Sequence, residues 1–169
     1  RKRLNRSMYC EVDVLDKYEL TIKIDKLDKL VKNRDYVNAA KVADQLEWKK
    51  MKQWSVMSNA IDAFVATENY EKARNICVYA YNRKLGGRLL ATLMEMYVKL
   101  EEFDDAQEIY QEYVELAPRD VTGFILLYKL RRAQGAPVEE LINILQNYKE
   151  KELDEEYEYE LALLYSEAG

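Results

Sequence analysis

The 169-residue chain contains no histidine, so the commonest general base and the commonest neutral metal ligand are both missing. Cys10 and Cys77 stand alone, without paired spacing, and neither a zinc site nor a disulfide framework is supported. Cys77 falls at helical spacing after Tyr70 and Ala73. It reads as a small buried hydrophobe, because no histidine or second cysteine is placed to activate it. Gly86-Gly87 is followed by Arg88-Leu89-Leu90 and lacks the spacing and the Lys-Ser/Thr of a phosphate loop, so it reads as a helix stop. The acidic groups Asp104-Asp105 and Asp154-Glu155-Glu156 lie where helices should start, and carboxylates there interact with unpaired backbone donors. They lack the alternating loop pattern of a calcium site. No nucleophile is paired with a base, so the expectation is no enzyme, no cofactor and no metal.

The elements that carry these residues follow from apolar spacing. Five Gly and two Pro are present, none of them in residues 1 to 85, and a hydrophobic share of 49% suffices for a continuous core. Between Leu90 and Pro118, residues Leu90, Leu93, Met94 and Tyr97 fall at helical spacing. Phe103, Ala106, Tyr110 and Tyr113 do so again after the break at Glu101-Glu102. Neither amphipathic helix buries its stripe alone. The rest of the chain copies this pair. Asp13 to Asn33 carries Leu20, Ile24, Leu27, Leu30 and Val31 on one face, and Asp35 is placed to cap a second helix bearing Tyr36, Ala39, Ala40, Ala43 and Leu46. Met57, Ala60, Ile61 and Phe64 precede Tyr70, Ala73, Cys77 and Ala80 in the next pair. Corner alanines at 39, 73 and 106 are spaced 34 and 33 apart. They let the two helices of a hairpin approach closely. In a fourth pair, Asp120 or Thr122 can cap a helix with Phe124, Leu127, Tyr128 and Leu130, and Leu141 replaces the corner alanine one residue late. Asp154 to Glu167 supplies one helix without a partner, with Leu161, Leu164 and Tyr165 expected to stay partly exposed as a sticky edge.

The stretch Leu90, Leu93, Tyr97, Ala106, Tyr110 and Pro118 resembles the tetratricopeptide repeat, whose family pattern has a large residue, Leu, Tyr, Ala, an aromatic and a closing Pro at these places. Met94 and Tyr113 depart from its small positions. The resemblance implies an all-α fold: a right-handed superhelical solenoid of antiparallel helix pairs, about four pairs plus one unpaired C-terminal helix. Repeats are expected at about 20–53, 54–86, 87–120 and 121–154, with a half repeat at 155–169, in a domain over 13–169 that follows a basic lead or linker, 1–12. The family's ligand-facing places on the first helices fall on Ile24, Asp28 and Val31; Ser55, Ser58, Asp62 and Val65; Arg88, Ala91, Glu95 and Val98; and Thr122, Ile125, Lys129 and Arg132. The candidate partner-binding groove is Asp28, Ser58, Asp62, Arg88, Ala91, Glu95, Lys129 and Arg132. Some members grip a terminal carboxylate with Lys, Asn and Arg. Only Asn59 and Arg88 approximate that set here, while Ile24, Asp28 and Thr92 depart from it.

Charge divides the chain. Residues 1 to 60 carry 14 Lys/Arg against 9 Asp/Glu, and residues 100 to 169 carry 6 against 18. The abundance of Tyr, 14 residues, suggests base stacking, and helical repeats of similar length do read RNA. The acidic half cannot supply the basic track that backbone binding needs, and Tyr36, Tyr70, Tyr97, Tyr110 and Tyr165 read as core. Charges interrupt every apolar run well short of the roughly 18 residues of a membrane span. The isolated cysteines fit a reduced, cytoplasmic or cytoplasm-facing setting. The chain reads as part of a larger protein, and the basic lead Arg1 to Arg6 fits a linker or the inner edge of an anchor outside it. The expected function is non-catalytic: a scaffold that binds a segment of a partner protein along its groove. The alternatives are a peptide-sensing regulatory module and an RNA-binding repeat. Self-association through the C-terminal edge is a further expectation.

Overall fold

The computed structural model describes residues 2–85, 89–149 and 155–169, with side chains from residue 16 to residue 148 and from 155 on, save 86–88. The described residues form helices α1 (Lys2–Lys32), α2 (Tyr36–Ala43), α3 (Trp54–Ala66), α4 (Tyr70–Asn82), α5 (Leu89–Lys99), α6 (Phe103–Leu116), α7 (Thr122–Ala133), α8 (Val138–Lys149) and α9 (Glu155–Ala168). A short 3-10 turn, Trp48–Lys50, follows α2. Among the described residues there is no strand, and no helix is long and apolar enough to cross a membrane. Helix α1 begins well before the expected Asp13 and takes in the stretch read as a linker. With no Gly or Pro there, nothing interrupts helical propagation.

The chain divides into two compact units, 1–85 and 86–169. In the first, α1 packs on α2, and α3 packs on both of them and on α4. In the second, α5 packs on α6, α7 lies on both, α8 packs on α7, and α9 covers α8. In each unit, then, the first helix of a pair rests on both helices of the pair before it. The corner alanines make this possible: Ala39, Ala73 and Ala106 are each 0% exposed, leaving room for only a methyl group between the backbones.

Each first helix stops in the same way. Arg34, Glu68 and Glu101 adopt left-handed φ of 58°, 60° and 58°, and Gly135 holds the equivalent place at 76°. The next backbone N–H then donates across the turn, Asp35 to Leu30 (2.9 Å), Asn69 to Phe64 (2.7 Å), Glu102 to Tyr97 (2.8 Å) and Ala136 to Arg131 (3.0 Å). This satisfies a carbonyl the ending helix leaves unpaired. Asp35 caps α2, its carboxylate accepting from the Asn38 N–H. Asp120 accepts from the Thr122 N–H at 2.9 Å and from the Tyr113 hydroxyl at 2.7 Å, fixing the entry to α7.

The fourth corner locates the extra residue. Leu141 N–H donates to Pro137 as Ala39, Ala73 and Ala106 do to Asp35, Asn69 and Glu102, so Ala136 is the insertion between the left-handed residue and the new helix. Leu141 is 5% exposed and buries a larger side chain where the other corners bury a methyl group. Arg131 clasps Glu140 with two bonds, 2.8 and 3.0 Å, across this corner.

The end of the chain differs from expectation. Leu161 and Leu164 are buried, at 5% and 1%, in a cluster with Ile125, Tyr128, Leu141, Ile144, Leu145 and Tyr148. Tyr157, Leu161 and Leu164 share one stripe turned toward α8, edge-on contacts joining Tyr157 to Tyr128 and Tyr148. Tyr165 lies one residue past that stripe, about 100° round the helix. It is exposed, with Tyr159 and Leu163, and is not the core residue its spacing suggested.

Candidate functional site

The first helix of each pair presents one face at a repeating position: Asp28 on α1, Asp62 on α3, Glu95 on α5 and Lys129 on α7, at spacings of 34, 33 and 34 residues. In the first unit, Asp28 of α1 accepts from Asn59 Nδ2 of α3 at 3.2 Å and pairs with Lys32 one turn on at 2.7 Å. The bond to Lys32 holds its carboxyl below the usual range. Ser58 is half-buried and Asp62 exposed on the same face of α3. Partial burial raises the carboxyl pKa of Asp62.

In the second unit, Lys129 Nζ on α7 pairs with Glu95 on α5 at 2.8 Å. Arg132, one turn further along α7, donates to the Tyr128 hydroxyl, lies with its guanidinium 5.8 Å from that ring, and stands 3.8 Å from Glu160 on α9. Tyr128 is 2% exposed, and burial first, then Glu160, pushes its phenol up to about 12. Ala91 is half-buried on α5. Arg88 lies outside the described residues.

The groove residues named from sequence thus fall into two sets. Asp28, Glu95, Lys129 and Arg132 tie consecutive first helices together, Asp28 through Asn59 in one unit and the others in the second. Ser58 and Asp62 on α3 and Ala91 on α5 have no such tie among the described residues of their units. Ile125, placed on the ligand side from spacing, is 7% exposed and belongs to the core with Tyr128 and Leu145. It sits where α7 turns from face to core, a boundary that a 3.6-residue period locates only to within a residue. Sequence reasoning missed Glu160, whose role depends on how α9 meets α7. It also missed the left-handed residues Arg34, Glu68 and Glu101, which share a period with Gly135 and could have been found from it.

Among the described residues no three His, Cys, Asp or Glu side chains group as metal ligands. Asp104 and Asp105 sit in the first turn of α6, and Glu155 and Glu156 in that of α9, where carboxylates complement the helix N-terminus. Cys77 is 0% exposed, and burial pushes its thiol up to about 12. In a Cys10→Ser background, Cys77 is expected to resist an aromatic disulfide reagent at neutral pH in the folded protein and to react fully in urea. Rapid labelling without denaturant contradicts its burial.

Comparison with solved structures follows this geometry. MamA of RS-1, as a double mutant, matches with a TM-score of 0.65 at 12% identity over 88% of this chain and 84% of that one. MamA of AMB-1 matches at 0.62 and 17% identity, over 87% of this chain and 88% of that one. A Podosopora anserina protein described as a kinesin light chain with nearly identical TPR-like repeats matches at 0.58 and 16% identity, over 88% and 86%. No protein-family model matches the chain, and no curated protein matches it. The fold is all-α and of the tetratricopeptide-repeat type.

Proposed function

We propose that the chain is a non-catalytic binding module whose first-helix faces receive a segment of a partner protein. The observation that carries this reading is the repeated face itself: one position returning at 33 and 34 residues, held by ties between helices, on a fold of the tetratricopeptide-repeat type. Mixed apolar and charged positions on that face suit an extended or helical peptide. The chemistry of the chain favours binding over catalysis, since it has no histidine and the buried Cys77 thiol is held protonated. Acidic α6 and α9 repel phosphate backbones and weigh against nucleic acid. The isolated cysteines fit a reduced, cytoplasmic setting.

Photo-crosslinking tests the reading. A benzophenone side chain placed at Ser58 or Ala91 is expected to trap the partner in native lysate, whereas the same group at exposed Val37 or Leu116 is expected to trap nothing specific. Identical adducts from all four positions would sink the groove assignment. The tie between Lys129 and Glu95 also gives the sensing alternative a physical form. A ligand that takes up either charge releases α5 from α7 and changes their spacing.

A further inference from the structure

Among the described residues, one charge on the face of the first unit has no counter-charge. Asp28, Asp62 and Glu95 occupy one repeat position, yet the structure treats them differently. Asp28 has a lysine at 2.7 Å and an amide at 3.2 Å. Glu95 has a lysine at 2.8 Å. Asp62 has no ion pair or hydrogen bond to any of the described residues, and among them it is burial that raises its carboxyl pKa. As a residue Asp62 is nonetheless exposed, with Ser55 exposed and Ser58 and Val65 half-buried on the same stripe of α3, one and two turns away. A carboxylate that its own fold partly desolvates and leaves unpaired is poised for a cation from outside, because a charge-assisted bond recovers what the surroundings withhold.

We propose that Asp62 receives a Lys or Arg side chain of the partner segment, supplying for α3 the cation that Lys32 and Lys129 supply for Asp28 and Glu95. The proposal rests on the groove reading above and specifies its partner: a segment that places a basic residue on α3, between apolar or small residues that lie against Val65 and Ser58. An anionic ligand, a peptide carboxylate or a nucleic-acid backbone does not fit this position.

A displayed library of short random peptides, selected against the whole chain, tests it, with enriched sequences resynthesised for fluorescence anisotropy. The expected result is a consensus containing one Lys or Arg, with affinity falling about tenfold or more in Asp62→Asn and unchanged in Asp16→Asn, an exposed carboxylate of α1. Folding does not confound the result. Burial raises the folded-state pKa of Asp62, so the ionised carboxylate opposes folding at neutral pH, and Asp62→Asn is expected to melt no lower than the parent. A Ser55→Trp variant, checked for helicity, separates the two ideas by filling the face beside Asp62. Peptides that lose binding in Ser55→Trp but carry no basic residue, or bind Asp62→Asn equally well, overturn the cation proposal and leave the groove standing. If nothing is enriched, or if enriched peptides ignore Ser55→Trp, the groove reading and the cation proposal both fall.

Discussion

Replacing Phe64 by alanine is expected to destabilise the protein by about 3–5 kcal/mol, a large part of the roughly 5–15 kcal/mol that holds a typical domain folded. Phe64 is 1% exposed in the last turn of α3. Its carbonyl also accepts the Asn69 N–H that closes the corner into α4. The ring lies buried in α3, and the packing of α3 against α1, α2 and α4 leaves little freedom to collapse around a void. In helical repeats each element leans on its neighbours alone, so the damage should be felt first in the unit that contains the substitution. Both tryptophans, Trp48 and Trp54, lie in that unit. Urea unfolding followed by their fluorescence should show a midpoint shifted well below the parent's, by more than the shift in total helicity. A midpoint equal to the parent's would remove Phe64 from the core.

The second expected result has the opposite sign. Arg34→Gly, Glu68→Gly and Glu101→Gly together should stabilise the chain by about 2 kcal/mol. Each residue is held at left-handed φ near 58–60°, which costs an L-residue roughly 1–2 kcal/mol, partly offset by the extra unfolded-state entropy glycine brings, about 0.5–1 kcal/mol. The three corners are far apart in sequence and share no partner, so their effects should add. Gly135→Ala supplies the reverse experiment. Nothing lies within 4 Å of an added Cβ there, yet φ is 76°, so its cost of about 1 kcal/mol is purely that of the backbone. Thermal or urea midpoints for the triple variant at or below the parent's would show that the three side chains contribute more at these corners than the backbone loses.

The pairing of helices was legible in the chain because it rests on local rules. The corner alanines had to be small, and all three are fully buried. Asp35 was placed to cap, and it caps. Leu141 was one residue late, and the structure shows Ala136 as the extra residue. The repeat-type fold follows from these, since an amphipathic helix with a period of 34 has only its neighbours to bury against. The start of α1 was less legible, because no chemical signal distinguishes a lead rich in helix formers from the helix it joins.

What the groove residues touch was not legible. The spacing that puts Asp28, Asp62, Glu95 and Lys129 at one repeat position says nothing about which of them meet. That depends on how closely α1 approaches α3 and α5 approaches α7, and on rotamers that packing selects. Lys129 meets Glu95 and Asp28 meets Asn59, so residues read as ligand contacts are partly ties between helices. The burial of Leu161 and Leu164 and the exposure of Tyr165 likewise turned on about one residue of rotation in α9. Most elements, their pairing and, to within about a residue, the face of each first helix were settled by the chain alone, because helical period and corner size are properties of neighbouring residues. Tertiary structure alone decided that Asp28 and Glu95 are neutralised and that Asp62 has no ion pair among the described residues, because an ion pair forms only within about 4 Å, a distance set by the packing of the whole unit.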